Sequence, residues 1–233
     1  MILQAISPLI LDFYELYVIM ILLYKKFKGG HSMNRRPLTI EFTGLPNSGK
    51  TTLIHNLAKD LQNHGLNVKI MQEDAELVPA EIPKKTWIRN TWITFGQLQS
   101  LLEIPYSTEE LILLDRGYCD ALFWAKFLYK QDACSKEQSE SLLRILHEMN
   151  DQFNLLPDYL FVIDVSVEES LKRRLAMGGK IVLTNEDFLS FYKTELEDFY
   201  QGITCPMWYL DTSSLSIEET KNITIKKIQE ILA

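Results

Sequence analysis

The stretch Gly44-Leu45-Pro46-Asn47-Ser48-Gly49-Lys50-Thr51 limits what this chain can fold into more than any other. It fits G-x-x-x-x-G-K-[ST], a loop that cradles phosphate groups between a strand and a helix. The flanks agree. Leu38 to Thr43 is short and rich in β-formers, which reads as a buried strand. Thr51 to Asn63 carries Leu53, Ile54, Leu57, Ala58 and Leu61 at helical spacing, and Gly65 supplies a stop. A glycine turn can match the eight positions by chance, but strand, loop and helix in register rarely do so together.

Phosphate chemistry explains the residue types. Gly44 and Gly49 let the backbone turn so that successive N–H groups point at phosphate oxygens. The helix that follows adds its positive N-terminal end. Lys50 can reach the β- and γ-phosphates, and the Thr51 hydroxyl can ligate Mg²⁺. The candidate nucleotide-binding set is therefore Gly44, Leu45, Pro46, Asn47, Ser48, Gly49, Lys50, Thr51 and Thr52, with a nucleoside triphosphate and Mg²⁺ as the implied ligands.

The chain has 233 residues, 46% of them hydrophobic, enough for one sizeable α/β domain and too little for two large ones. A formal net charge of −7 argues against long nucleic acid as a partner. Cys119, Cys134 and Cys205 are far apart and odd in number. They suggest neither a disulfide framework nor a zinc site, and they suit a reducing cytoplasm. Residues 1–32 read as an apolar extension and linker, and residues 33–233 as the phosphate-loop domain. Met1 to Tyr24 reaches the length of a membrane span, but Asp12 and Glu15 in its middle argue against one. An interfacial helix, or one docked on the domain or a partner, fits as well, and membrane contact through residues 1–24 is the lesser expectation.

Asn67 to Met71 reads as the second strand, with Glu73 and Asp74 just beyond its end, where open α/β sheets bind ligands. Thr86 to Glu103 reads as a helix carrying Trp87, Trp92, Phe95, Leu98 and Leu101, with Arg89 and Gln97 among them. An aromatic stripe at this spacing is usually core. Trp92, Phe95, Gln97 and Arg89 are nonetheless candidates to line a pocket for a planar acceptor. Glu110 to Asp115 is an apolar run ending in an acid, a buried strand with Asp115 placed to hold Mg²⁺ near Thr51. Arg116 adjoins it as a phosphate clamp, and Asp120 stands at the exposed start of a helix from Tyr118 to Tyr129, where it reads as a dipole acid or a substrate contact.

Further along, Ser135 can cap a helix from Lys136 to Phe153, and Tyr159 to Asp164 is another buried strand. Ser166-Val-Glu-Glu169 reads as a capping box opening a helix with Lys172, Arg173 and Arg174, ending at Gly178-Gly179. Neighbours on a helix are rotated by about 100°, so only one or two of these cations can face a cleft. Lys180 just beyond is a further phosphate candidate. A helix from Glu186 to Tyr200, a strand ending at Asp211 and a closing helix from Ile217 to Leu232 complete the chain. Strands alternating with helices imply a parallel sheet covered on both faces.

From about Pro37 to Leu232 the chain resembles the thymidylate kinase and deoxynucleoside kinase group of P-loop kinases. The resemblance rests on Gly44 to Thr51, Glu73 after the second strand, Asp115-Arg116 after the third, and the Arg173-Arg174 helix. It implies an α/β P-loop NTPase three-layer sandwich, with a five-stranded parallel sheet in the order 2-3-1-4-5 and helices on both faces. It also implies transfer of a phosphoryl group from ATP–Mg²⁺ to a nucleoside or its monophosphate. Glu73 falls where deoxynucleoside kinases keep their general base. Thr43-Gly44 stands where these loops usually begin Glu-Gly, with Glu41 nearby, and Asp115-Arg116-Gly117 matches the Asp-Arg patterns of either branch loosely. Members are often dimers, so a homodimer is expected on the resemblance alone.

The implied mechanism has Lys50, the loop amides and Mg²⁺ holding ATP, Glu73 accepting or orienting the acceptor's proton, and Arg116 with Arg173 or Arg174 neutralising the transferring group. Substrate contacts would be Glu73, Arg89, Trp92, Phe95, Gln97 and Arg116, and metal contacts Thr51 and Asp115. Two other readings stay open: a P-loop NTPase that hydrolyses ATP or GTP to regulate a protein or membrane partner, and a non-catalytic nucleotide binder.

Overall fold

The computed structural model describes residues 36–72, 77–84, 86–178 and 185–233. The extension at residues 1–32, Glu73 with Asp74, and Lys180 lie outside the described residues. Five strands form one sheet: β1 (Leu38–Thr43), β2 (Val68–Met71), β3 (Leu111–Asp115), β4 (Tyr159–Asp164) and β5 (Met207–Asp211). Their order is β2-β3-β1-β4-β5 and every pairing is parallel. Between them run α1 (Lys50–Asn63), α2 (Trp87–Glu103), α3 (Tyr118–Lys130), α4 (Lys136–Phe153), α5 (Val167–Ala176), α6 (Glu186–Tyr200) and α7 (Ile217–Leu232). Parallel neighbours need crossovers, and the helices supply them on both faces. This is the P-loop NTPase sandwich expected from the sequence.

The two faces carry separate cores. On one, Ile40 and Phe42 of β1 and Leu111 and Leu113 of β3 meet Leu53, Ile54 and Leu57 of α1 and Ile228 of α7. On the other, Leu160 and Val162 of β4 meet Phe123 and Phe127 of α3 and Leu189, Tyr192 and Leu196 of α6. Alternation along β1 sends Thr39, Glu41 and Thr43 to the second face. All three are buried, and each polar side chain has a partner. The Thr39 hydroxyl donates to Asp158 Oδ2 at 2.8 Å, Thr43 Oγ1 lies 3.2 Å from the Tyr200 hydroxyl, and Glu41 accepts from backbone amides of α3.

Caps set the helix starts. Ser135 and Ser216 each form a full capping box, with Gln138 and Glu219 reaching back. Ser166 Oγ accepts from Glu169 N at 3.1 Å, but the expected reciprocal bond is not made. The Glu169 carboxylate is held instead by Lys172 and Arg173, each at 3.1 Å. Two cations within one turn outcompete a single backbone N–H for that carboxylate.

Candidate active site

The phosphate loop joins β1 to α1. Gly44 (φ +133°) opens it where no side chain fits, since a Cβ there would lie 2.1 Å from the Ile163 carbonyl oxygen of β4. Gly49 (φ +93°) and Asn47 (φ +60°) complete the turn. Lys50 is buried and folds back over the loop, its Nζ donating to Gly44 O at 3.0 Å, Leu45 O at 2.7 Å and Ser48 Oγ at 3.2 Å. Those acceptors hold the ammonium over the loop. Asn47 Nδ2 is buried without a hydrogen-bond partner among the described residues.

At the ends of β1 and β3, the Thr51 hydroxyl donates to Asp115 Oδ2 at 2.6 Å. The pair brings two hard oxygen ligands to one point beside the loop. That suits Mg²⁺, which takes one or two protein oxygens and fills the rest of its octahedron with water and substrate phosphate.

After β3 the chain turns sharply. Arg116 adopts φ +67°, a left-handed conformation costly for a residue with a side chain, and its N–H donates to Phe42 O at 3.3 Å. The turn aims the guanidinium at Asp120, with Nη1 3.3 Å from Oδ1. Asp120 is 5% exposed, so it is not the solvated helix-start acid that its position suggested. Burial pushes its carboxyl up, while Arg116 and Lys50 pull it back.

A pocket of about 180 Å³ lies between α2 and α3. Arg89, Asn90, Thr94 and Gln97 of α2 and Asp120 and Trp124 of α3 are among its walls. Of the residues that the sequence offers as pocket candidates, Arg89 and Gln97 line this cavity; Asn90, Asp120 and Trp124 line it too. Trp92 and Phe95 do not line it. The lining residues of α2 follow the 3.6-residue stripe 86, 89, 90, 93, 94 and 97, and positions 92 and 95 lie about 100° or more off that stripe. Trp92 is 38% exposed, and Trp124 supplies the aromatic wall instead. Two amide donors on this stripe, Asn90 Nδ2 and Gln97 Nε2, are buried with no hydrogen-bond partner among the described residues. Arg89 donates to Ile82 O at 3.2 Å, so its charge is anchored at the rim.

The three cations of α5 divide. Lys172 pairs with Glu169 at the surface. Arg173 braces the phosphate loop from behind, donating to Ser48 O at 3.1 Å and to Thr212 O at 2.6 Å. Arg174 keeps a buried Nε with no partner among the described residues.

The acid that most shapes this region is Glu41, noted in the sequence only as lying near the loop. It is wholly buried, and its carboxylate accepts from Cys119 N at 3.0 Å and Asp120 N at 2.8 Å. Burial pushes its pKa up to about 7 against the pull of those amides. The sequence did carry a signal, an acid inside the otherwise apolar run of β1, but its partners lie 78 and 79 positions away.

A model of the family described as chromatin associated protein KTI12 matches residues 37–95, from β1 into α2. No curated protein sequence gives a significant match. Among solved structures, deoxyadenosine kinase from M. mycoides with the products dCMP and a flexible dCDP bound superposes with a TM-score of 0.66 at 17% identity, covering 83% of this chain and 100% of the kinase. The dCTP-bound form gives 0.67 at 16% identity over 83% and 100%, and the dATP-bound form 0.67 at 16% over 82% and 100%. The chain and these kinases share the P-loop NTPase architecture. At such identity the likeness is one of architecture, and the roles of individual side chains follow from their geometry.

Proposed function

We propose that the protein is an ATP- and Mg²⁺-dependent phosphotransferase whose acceptor is a nucleoside, a nucleoside monophosphate or a similar small planar molecule. The observation that carries this reading is the α2–α3 pocket, whose walls include a buried carboxyl, Asp120, and two residues, Asn90 and Gln97, that each keep an amide donor unpartnered among the described residues. An unpaired buried donor costs about 1–3 kcal/mol, so a pocket keeping two of them suits a ligand that brings acceptor atoms. Asp120 links the pocket to the loop, because it lines the first and lies within electrostatic reach of Lys50 in the second.

In this reading the loop amides and Lys50 hold the triphosphate. Thr51 and Asp115 would hold Mg²⁺, which when bound neutralises charge on the β- and γ-phosphate oxygens. Gln97 and Asn90 donate to acceptor atoms of the planar group, Trp124 offers its face, and Asp120 takes a donor. Arg116, sharing a turn with Asp115, neutralises charge between donor and acceptor, and Arg174 is the cation of α5 still available to do so. Glu73 follows β2 and is proposed to accept or orient the acceptor's proton. The three cysteines, all thiols, suit the reducing cytoplasm where such an enzyme would act. The homodimer is carried over from the resemblance.

The test is a phosphoryl-transfer screen with purified protein, ATP–Mg²⁺, and a panel of nucleosides, monophosphates and other small alcohols, the products identified by mass. A phosphorylated acceptor whose formation falls at least about a hundredfold in Glu73→Gln, with ATP affinity kept, supports the proposal. ATP hydrolysis indifferent to every acceptor favours the NTPase reading.

A further inference from the structure

The N-cap residue of helix α3 is Gly117, which has no side chain to cap it. An N-cap side chain ordinarily accepts from the N–H of the second or third helical residue. Here those residues are Cys119 and Asp120, and Glu41 of β1 takes both N–H groups with its two oxygens. We infer that Glu41 is the positioning residue of the acceptor site, a carboxylate from the sheet that caps α3 in place of its own N-cap residue and so fixes where Arg116 and Asp120 stand.

Two further observations join Glu41 to this task. A side chain at position 117 would displace the Glu41 carboxyl, since a Cβ there would lie 2.9 Å from Oε2 and 3.1 Å from Cδ of Glu41, and 3.3 Å from Leu114 Cδ1. The cap can come from position 117 or from position 41, but not from both. Next, the turn that Glu41 secures carries the groups of the site in sequence: Asp115 beside Thr51, Arg116 at φ +67°, and Asp120 in the pocket wall. A left-handed arginine persists only where its surroundings over-determine it. The bonds at hand are Arg116 N to Phe42 O and, three and four residues on, the two amides on Glu41. Both anchors belong to adjacent residues of β1. Glu41 does not line the pocket, so it acts through the backbone of α3 rather than on a ligand. Its other neighbours are the thiols of Cys119 and Cys205, the Asp120 carboxyl and the Gly117 amide.

This inference rests on the acceptor pocket proposed above, and its test separates the two. The full chain is prepared as Glu41→Ala, Glu41→Gln, Gly117→Ser and the double variant Glu41→Ala/Gly117→Ser. The measurements are the KM and kcat for the acceptor that the screen identifies, the affinity for ATP–Mg²⁺, the stability to urea, and the NMR resonances of the Cys119 and Asp120 amides and the Arg116 Nε–H. Glu41→Ala is expected to raise the acceptor KM about tenfold, the equivalent of one lost cap, while ATP affinity changes by less than about threefold. Gly117→Ser alone harms the site, because its side chain meets the Glu41 carboxylate. The double variant recovers most of the loss, because serine then caps the helix locally. An unchanged acceptor KM with lowered stability, an equal loss of ATP affinity, or additive effects in the double variant would each overturn the inference. Should Glu41→Ala not fold, Glu41→Gln, of equal size, carries the same comparison. Should the wild type phosphorylate no acceptor, the functional reading fails by itself. Glu41 is then judged on the resonances: movement of Arg116 Nε–H in Glu41→Gln upholds its positioning role, and an unmoved signal overturns it.

Discussion

Raising the pH from 5 to 8 should weaken this fold, and the contribution of one side chain, Glu41, can be isolated. Glu41 is wholly buried, and desolvation lifts its pKa from an ordinary 4.5 to about 7, only partly offset by the amides of Cys119 and Asp120. Between those two values the native protein holds a proton that the unfolded chain has released. Stability is therefore fully present below about pH 4.5 and is lost as the pH rises towards 7. At about 1.36 kcal/mol per pH unit, the loss is about 3 kcal/mol. Urea unfolding of wild type and Glu41→Gln at pH 5, 6, 7 and 8 isolates it, since glutamine matches the size and cannot ionise. Asp120, also raised by burial, adds a slope of the same sign in both proteins and largely cancels. The stability of Glu41→Gln relative to wild type should rise by about 2–3 kcal/mol across this range, part of the loss lying below pH 5. Parallel curves would refute the reasoning, because they would mean that Glu41 stays ionised throughout.

Other outcomes follow from single contacts. Gly44→Ala should cost about 3 kcal/mol or more by chemical denaturation, because its Cβ meets the backbone of β4 at a positive φ. Arg173→Met should lower both stability, by about 1–3 kcal/mol, and ATP affinity, since it abandons the carbonyls of Ser48 and Thr212. Arg174→Met should leave the melting temperature unchanged and slow turnover, which assigns the transfer role between the two arginines. Gln97→Leu should hold or raise the stability of the ligand-free protein, by up to about 1 kcal/mol, because it removes an unpaired buried donor. The same change should raise the acceptor KM about tenfold or more, measured in the transfer assay. A stability loss without a change in KM would make Gln97 a packing residue.

The fold was legible because its signals are local. Buried parallel strands appear as short apolar runs, and the phosphate loop fixes which of them leads. Asp115 was placed near Thr51 for the same reason, since both stand at strand ends that the sheet order brings together. The acceptor side was less legible because it depends on helix rotation and on contacts far apart in sequence. Trp92 and Phe95 are the conspicuous aromatics of α2, yet the pocket stripe passes beside them to Asn90 and Gln97 and takes its tryptophan from α3. Asp120 opens a helix, which suggests a solvated dipole acid, yet it is buried in the wall of the α2–α3 pocket beside Arg116. Arg173 and Arg174 are adjacent in sequence, but the 100° between neighbours turns one onto the loop carbonyls and leaves the other with an unpartnered Nε among the described residues.

The most direct test of the central claim is ADP formation from ATP–Mg²⁺ with and without a nucleoside or nucleoside monophosphate, in wild type and in Lys50→Ala. The account predicts that one acceptor raises ADP formation at least about tenfold over acceptor-free hydrolysis, that a phosphorylated acceptor appears in equal amount, and that both vanish in Lys50→Ala. ADP formation that is the same with every acceptor, or that persists in Lys50→Ala, would contradict it.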